Sequence, residues 1–232
     1  MTVVLPRRNV LVSLAALSAS TMLLAACNGE EAKAPQETTP PATTSEAPPS
    51  QGSVDMTKLL EEGALPEKVI GEADAPVTIV EYASMTCPHC ASFHEATLPA
   101  IKERYIDTGK ARLIFREFPF DPRAEAAFML ARCSNDNYFP MVDVLFSQQR
   151  DWASVQDARS ALLQISKLAG FSQESFEACL TDQKLLDDVR AVRARGASDF
   201  KVESTPTFFI NGGKYSGALS VDQMSAIIES HL

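Results

Sequence analysis

Hydrophobic positions divide the chain into three regimes. Residues 10–26 form an apolar run interrupted only by Ser13, Ser18, Ser20 and Thr21. Residues 28–53 contain no aromatic and almost no large apolar side chain. From residue 55 to Leu232, apolar residues recur with the periods of strands and helices. "VTIVEYAS", 77–84, is rich in β-branched residues, follows Ala75-Pro76, and predicts a buried strand. Phe93, Leu98, Ile101 and Tyr105 then recur at helical spacing as far as Gly109, with Pro99 expected to kink the helix. "ARLIFREF", 111–118, predicts a second strand. Beyond Pro119 and Pro122, helices are predicted over 123–133, 137–149, 156–169, 173–180 and 183–199. "TPTFFING", 205–212, predicts a strand ending in an Asn-Gly-Gly turn, with 214–216 returning antiparallel. Ser220 is placed to cap a last helix, 221–232.

Strand, helix and strand at this spacing imply a βαβ unit with parallel strands. The expected fold is α/β: a mixed central sheet flanked by helices, with a helical insertion at about 120–200 and a closing hairpin. Residues 55–232 are enough for one domain with a substantial core. The formal net charge of −9 argues against a nucleic-acid partner.

The chemistry concentrates in Cys87-Pro88-His89-Cys90, directly after the first strand. With Cys87 at the helix start, Pro88 takes the first helical position, where its missing N–H costs nothing. Cys90 lies one turn later on the same face. Unpaired N–H groups and the positive end of the helix dipole favour a thiolate at Cys87, and a thiolate is the nucleophile in disulfide exchange. The His89 ring is placed to donate a hydrogen bond or positive charge to that sulfur. Because the disulfide carries no anion, this stabilisation makes Cys87–Cys90 easier to reduce. Zinc is the competing reading, but it needs about four ligands. Only His89 and His94 lie near, and there is no second Cys-x-x-Cys, so no metal site is expected. A purely structural Cys-x-x-Cys loop is the other competitor.

"CPHC" after "VTIVEYASMT", with "STPTFFING" further on, resembles the thioredoxin superfamily and specifically its DsbA-type periplasmic disulfide oxidases. The likeness extends over about 66–232, including the helical insertion. It implies that Cys87 is the exposed exchanging sulfur, that Cys90 is the buried resolving one, and that the Cys87 pKa is strongly lowered. It implies a cis-proline at Thr205-Pro206 facing the pair, with the Thr205 backbone pairing with a substrate chain. It assigns Glu81 as a buried acid relaying a proton for the resolving cysteine. No cofactor is implied. Threonine before the cis-proline departs from the best-known oxidases, which have valine there, and matches isomerase relatives and some oxidases. The isomerases, however, use an N-terminal dimerisation domain, and a monomer is expected here. The expected partners are unfolded or reduced secreted proteins and a DsbB-like, quinone-linked membrane protein that reoxidises the pair. A disulfide isomerase or a membrane-tethered, thioredoxin-like reductase is the enzymatic alternative, and a chaperone-like binder of unfolded chains the non-enzymatic one. His94 is expected at the helix surface or lining a groove, His231 in solvent, and Trp152 in the core.

The remaining cysteines depend on compartment. Arg7-Arg8 before the apolar run gives residues 1–26 the layout of a secretory signal, which competes with a transmembrane span. The arginine pair also resembles a twin-arginine signal. Leu24-Ala25-Ala26-Cys27 resembles the lipobox of bacterial lipoproteins, which implies lipidation at Cys27 and a lipid-anchored extracytoplasmic protein. Residues 27–54 then form a disordered linker. Outside the cytosol thiols tend to be oxidised, which favours a Cys133–Cys179 disulfide, as some DsbA-type members carry, over two buried free thiols.

Overall fold

A computed structural model describes residues 47–232. The signal, the lipidation site and most of the linker lie outside the described residues. Five strands form one sheet: β1 (Lys68–Ile70), β2 (Val77–Ala83), β3 (Ala111–Glu117), β4 (Thr207–Ile210) and β5 (Gly213–Ser216). Their order is β1-β3-β2-β4-β5, with β2 and β3 parallel and every other neighbouring pair antiparallel. This is the expected mixed sheet of a thioredoxin fold. β2 lies at its centre and is buried along its whole length, as a strand covered on both faces must be.

Side chains alternate across a strand, so Val77, Ile79 and Glu81 share one face. On that face Val77 and Ile79 pack with Phe93, Ile101, Phe208 and Ile227. The opposite face places Val80 and Tyr82 against Ile114, Phe118, Phe200 and Phe209. Glu81 therefore points into the layer that carries the Cys87 helix.

That helix is composite. It runs from α2 (Pro88–Ser92) through a wide π turn (Phe93–Thr97), α3 (Leu98–Ile101) and a second π turn (Lys102–Ile106). The expected interruption at Pro99 lies one turn earlier: the Leu98 N–H bonds to Phe93 O, five residues back, and the widened turn accommodates the ring and missing donor of Pro99.

The insertion between β3 and β4 contains α4 (Pro122–Cys133), α5 (Tyr138–Ser147), α6 (Gln149–Trp152), α7 (Ala158–Leu168), α8 (Gln173–Leu180) and α9 (Gln183–Phe200). Its core joins Phe128, Leu145, Phe146, Trp152 and Phe176 to Cys90 and Phe115 of the sheet unit. Arg132 bridges to buried Glu117, which also accepts from the Tyr138 hydroxyl at 3.0 Å. α9 approaches the sheet closely because Gly196 has no Cβ, and one there would lie 2.7 Å from Tyr82 Cε1. The closing helix α10 (Val221–Glu229) is capped by Ser220 as expected.

The sequence pattern does not announce the short strand β1, the single turn α1 (Met56–Leu59) or the single turn α6. The inner end of the expected linker is also ordered. Gln51 N–H donates to Lys214 O at 2.8 Å, and Val54 N–H donates to Gly212 O at 2.9 Å. Residues 51–54 cover the free edge of β5, where unpaired backbone groups favour pairing.

Candidate active site

Cys87 caps α2 in an extended conformation, with φ −80° and ψ 118°, and Pro88 takes the first helical position. Cys87 is half-buried and Cys90 fully buried, and both are free thiols. Thr205-Pro206 is a cis peptide bond. It brings the Thr205 carbonyl against the pair, where the Cys87 thiol donates to it at 3.3 Å. Residues far apart in sequence thus meet at one sulfur.

The two sulfurs are electrostatically unlike. The Cys87 pKa is lowered to about 5, first by a hydrogen bond from the Cys90 thiol, then by the Thr205 side chain and the backbone N–H groups of Cys90 and His89; burial opposes them. The Cys90 thiol is pushed well above its ordinary range by burial, by its hydrogen bond to Cys87 and by the negative charge of Glu81. His89 is exposed. Its contribution to the Cys87 anion comes from its backbone N–H. The sequence points both to the helix N–H groups and to the imidazole, and at the second helical position the residue is exposed while its N–H aims at the cap.

Glu81 is fully buried in β2, flanked in register by Phe115 and Phe208. Of the two positions expected for His94, the helix surface is excluded and the groove lining holds. The residue is 7 % exposed, and its Nε2 lies 3.0 Å from Glu81 Oε2 and 3.2 Å from Oε1. Phe115 and Phe146 pack on its ring, with centroids 5.2 and 4.4 Å away. The i, i+4 spacing from Cys90 was the available signal, because it puts His94 on the same buried helix face. The covering side chain, Phe146, comes from the insertion, and sequence could not place it there.

Gln149 was also missed. Its buried side-chain amide donates to Met85 O at 2.8 Å and Cys87 O at 3.0 Å, tying the insertion to the cysteine loop. Beside this loop lies a hollow of about 390 Å³ lined by Pro88, Ala91, Ser92, Phe146, Gln149 and Arg150. Further along, a cleft of about 450 Å³ between the Cys87 helix and α5 is lined by His94, Leu98, Pro99, Phe139 and Phe146 among others. Away from both, Cys133 and Cys179 are joined by a disulfide, with Cα atoms 6.2 Å apart. Among the described residues no three or more His, Cys, Asp or Glu side chains cluster as metal ligands would. No helix there is long and apolar enough to cross a membrane.

The sequence profile of the thioredoxin family matches residues 64–230. A Rickettsia typhi protein, provisionally named a protein-disulfide oxidoreductase, is 34 % identical over 168 residues, which cover 72 % of this chain. The match spans 62 % of that relative's length. The crystal structure of Wolbachia pipientis alpha-DsbA1 superposes with a TM-score of 0.70 at 32 % identity, covering 76 % of this chain and 96 % of that one. BdbD of Bacillus subtilis, 21 % identical with a TM-score of 0.65 and coverage of 81 % and 98 %, shares the fold. By sequence profile, by identity and by superposition the chain belongs to the DsbA-type oxidoreductases of the thioredoxin superfamily.

Proposed function

We propose that the chain is an extracytoplasmic thiol:disulfide oxidase that donates the Cys87–Cys90 disulfide to reduced secreted proteins. The observation that carries this reading is the asymmetry of the pair. Cys87 is reachable and stabilised as an anion, whereas Cys90 is buried and held as a thiol. A substrate thiolate attacks the Cys87 sulfur, the Cys87–Cys90 bond breaks, and Cys90 leaves with the bonding pair and takes up a proton. A second substrate thiolate then attacks the substrate sulfur of the mixed disulfide, and Cys87 departs as a thiolate. A low leaving-group pKa speeds this last step and makes the disulfide a stronger oxidant. Pro206 offers no N–H beside the sulfur, and the Thr205 backbone is positioned to pair with an extended substrate. Glu81 acts as the proton carrier for Cys90.

In this reading Cys27 is lipidated and becomes the mature N-terminus, residues 28–50 tether the domain to the membrane, and the protein works as a monomer. A DsbB-like, quinone-linked membrane protein reoxidises the pair. The hollow beside Pro88, where Ala91 and Phe146 stand next to Ser92, Gln149 and Arg150, offers unfolded chains both apolar and polar contacts.

The reduction potential of the pair tests the redox poise. The oxidase reading expects a value clearly above about −180 mV, toward the about −120 mV of strong oxidases, and a value near the about −270 mV of thioredoxin overturns it. Oxidation of a reduced dithiol peptide by the wild type should vanish in Cys87→Ser; if the wild type oxidises it no faster than Cys87→Ser, a chaperone-like binder becomes the better reading. Thr205 favours isomerase activity as the second reading, scored on a substrate with scrambled disulfides. Mass spectrometry of the membrane-extracted protein tests Cys27, where an unmodified cysteine refutes the anchor.

A further inference from the structure

His94 is a buried titratable side chain to which the exchange steps at Cys87 assign no task. Among the described residues, the side-chain hydrogen bonds to the Glu81 carboxylate come from His94 Nε2. Glu81 itself has no exposed surface, and its strand neighbours in register are phenylalanines. A proton that reaches Glu81 from water therefore has one polar neighbour to pass through. His94 is also among the residues lining the cleft of about 450 Å³ between the Cys87 helix and α5. Its second ring nitrogen, Nδ1, is buried and has no hydrogen-bond partner, which is uncommon for a buried polar atom. An imidazole takes a proton at one nitrogen and releases one from the other.

We propose that His94 is the proton relay between the cleft and Glu81, serving Cys90 each time the Cys87–Cys90 bond opens or closes. The inference rests on the exchange reaction proposed above. On opening, Cys90 leaves with the sulfur–sulfur electron pair and takes a proton from the Glu81 carboxyl group. Glu81 regains one from His94 Nε2–H, and the buried His94 Nδ1 takes one from water admitted from the cleft that the residue lines. Net, one proton passes from solvent to Cys90, and closing runs the sequence backwards. The charged or titratable groups around the ring are Glu81 from β2, Asp143 from α5, and Cys90, Glu95 and Lys102 from its own helix. Asp143, Glu95 and Lys102 line the same cleft. Phe93, Phe115 and Phe146 supply the aromatic faces.

The test is single-turnover reduction of the oxidised protein by dithiothreitol across pH 5–8, in wild type, His94→Gln, Glu81→Gln and the double variant. Glutamine can still donate to Glu81 but cannot pass a proton between two ring nitrogens. His94→Gln should open the disulfide at least about tenfold more slowly and lose the wild-type pH dependence. Its Cys87 thiolate titration should be unmoved, and the double variant should be no slower than Glu81→Gln. Wild-type rate and pH dependence in His94→Gln overturn the relay, and so does slowing that adds in full to that of Glu81→Gln. A measurement on the unsubstituted protein is independent of the variants' folding. The nitrogen NMR shifts of the His94 ring should report a change of tautomer or charge between the oxidised and reduced forms, and an indifferent ring refutes the proposal. If Cys87→Ser abolishes exchange while His94→Gln behaves as wild type, only the relay falls. If the wild-type pair does not exchange at all, the functional reading fails and the relay with it.

Discussion

Gln149 of the helical insertion donates its side-chain amide to the Cys87 carbonyl at 3.0 Å, and to that of Met85 at 2.8 Å. The loop that sets the reactive sulfur is thus held by the insertion as well as by its own helix. The Cys87 carbonyl keeps a second partner, the Ala91 N–H at 3.2 Å. Gln149→Ala should therefore loosen the loop without unfolding it. A loss of about 1–3 kcal/mol is expected for removing a buried donor, read from denaturant midpoints, with faster hydrogen exchange confined to residues 85–90. An unchanged midpoint would mean that water replaces the amide at no cost.

The reduced protein should be more stable than the oxidised one at neutral pH. A Cys87 pKa of about 5, against the ordinary 9.0, is a depressed folded-state value. Its stabilisation is full above the unfolded pKa and is lost as pH falls through about 5. At pH 7 it is worth about 3 kcal/mol. The oxidised form has no such contribution, and its four-residue loop gains little from chain entropy. Thiolate absorbance should titrate with a midpoint near 5, and denaturant unfolding of both forms at pH 7 gives the gap. A more stable oxidised form would contradict the oxidase assignment.

Thr205→Val should raise the Cys87 pKa. The Thr205 hydroxyl is buried and has no hydrogen-bond partner by distance and angle, yet its dipole close to the sulfur favours the anion. Valine keeps the shape and removes that dipole, so the thiolate titration should move upward and the pair become less oxidising. The backbone carbonyl that meets Cys87 remains in place in the variant. A titration unmoved by the substitution would leave the N–H groups of the helix and the Cys90 thiol as the cause.

Replacing Cys133 and Cys179 together by alanine should destabilise the domain by about 3–4 kcal/mol, the chain-entropy value for a loop of 46 residues. Dithiol oxidation by the folded fraction should be unchanged, because this bond ties α4 to α8 at a distance from Cys87. Mild reduction that labels Cys87 should leave these two sulfurs unlabelled. Labelling of all three at one rate would show that the bond is not a lasting one.

Apart from β1, α1 and α6, the order of elements is legible in the sequence alone, and so is the chemistry of the cysteine loop. Both are local: a β-branched run, a proline one place inside a helix, and two thiols one turn apart specify their geometry within a few residues. Strand parity also placed Glu81 on a face of β2, although which face is buried depends on what covers the sheet. Here both are covered. Tertiary structure alone decided the rest, because each remaining feature is a contact between distant segments. β1 is three residues long and is held by pairing with β3, too short for its own pattern to announce. Residues 51–54 have the composition of a tether and are ordered by the open edge of β5. His94 carries a polar label at a helical position, and it is buried because Phe146, from an insertion that begins after β3, closes over it. The Cys87 sulfur meets Thr205 only because the sheet brings β4 beside β2. The reactivity of the pair is set by the sum of these distant partners, and no local pattern in the chain contains that sum.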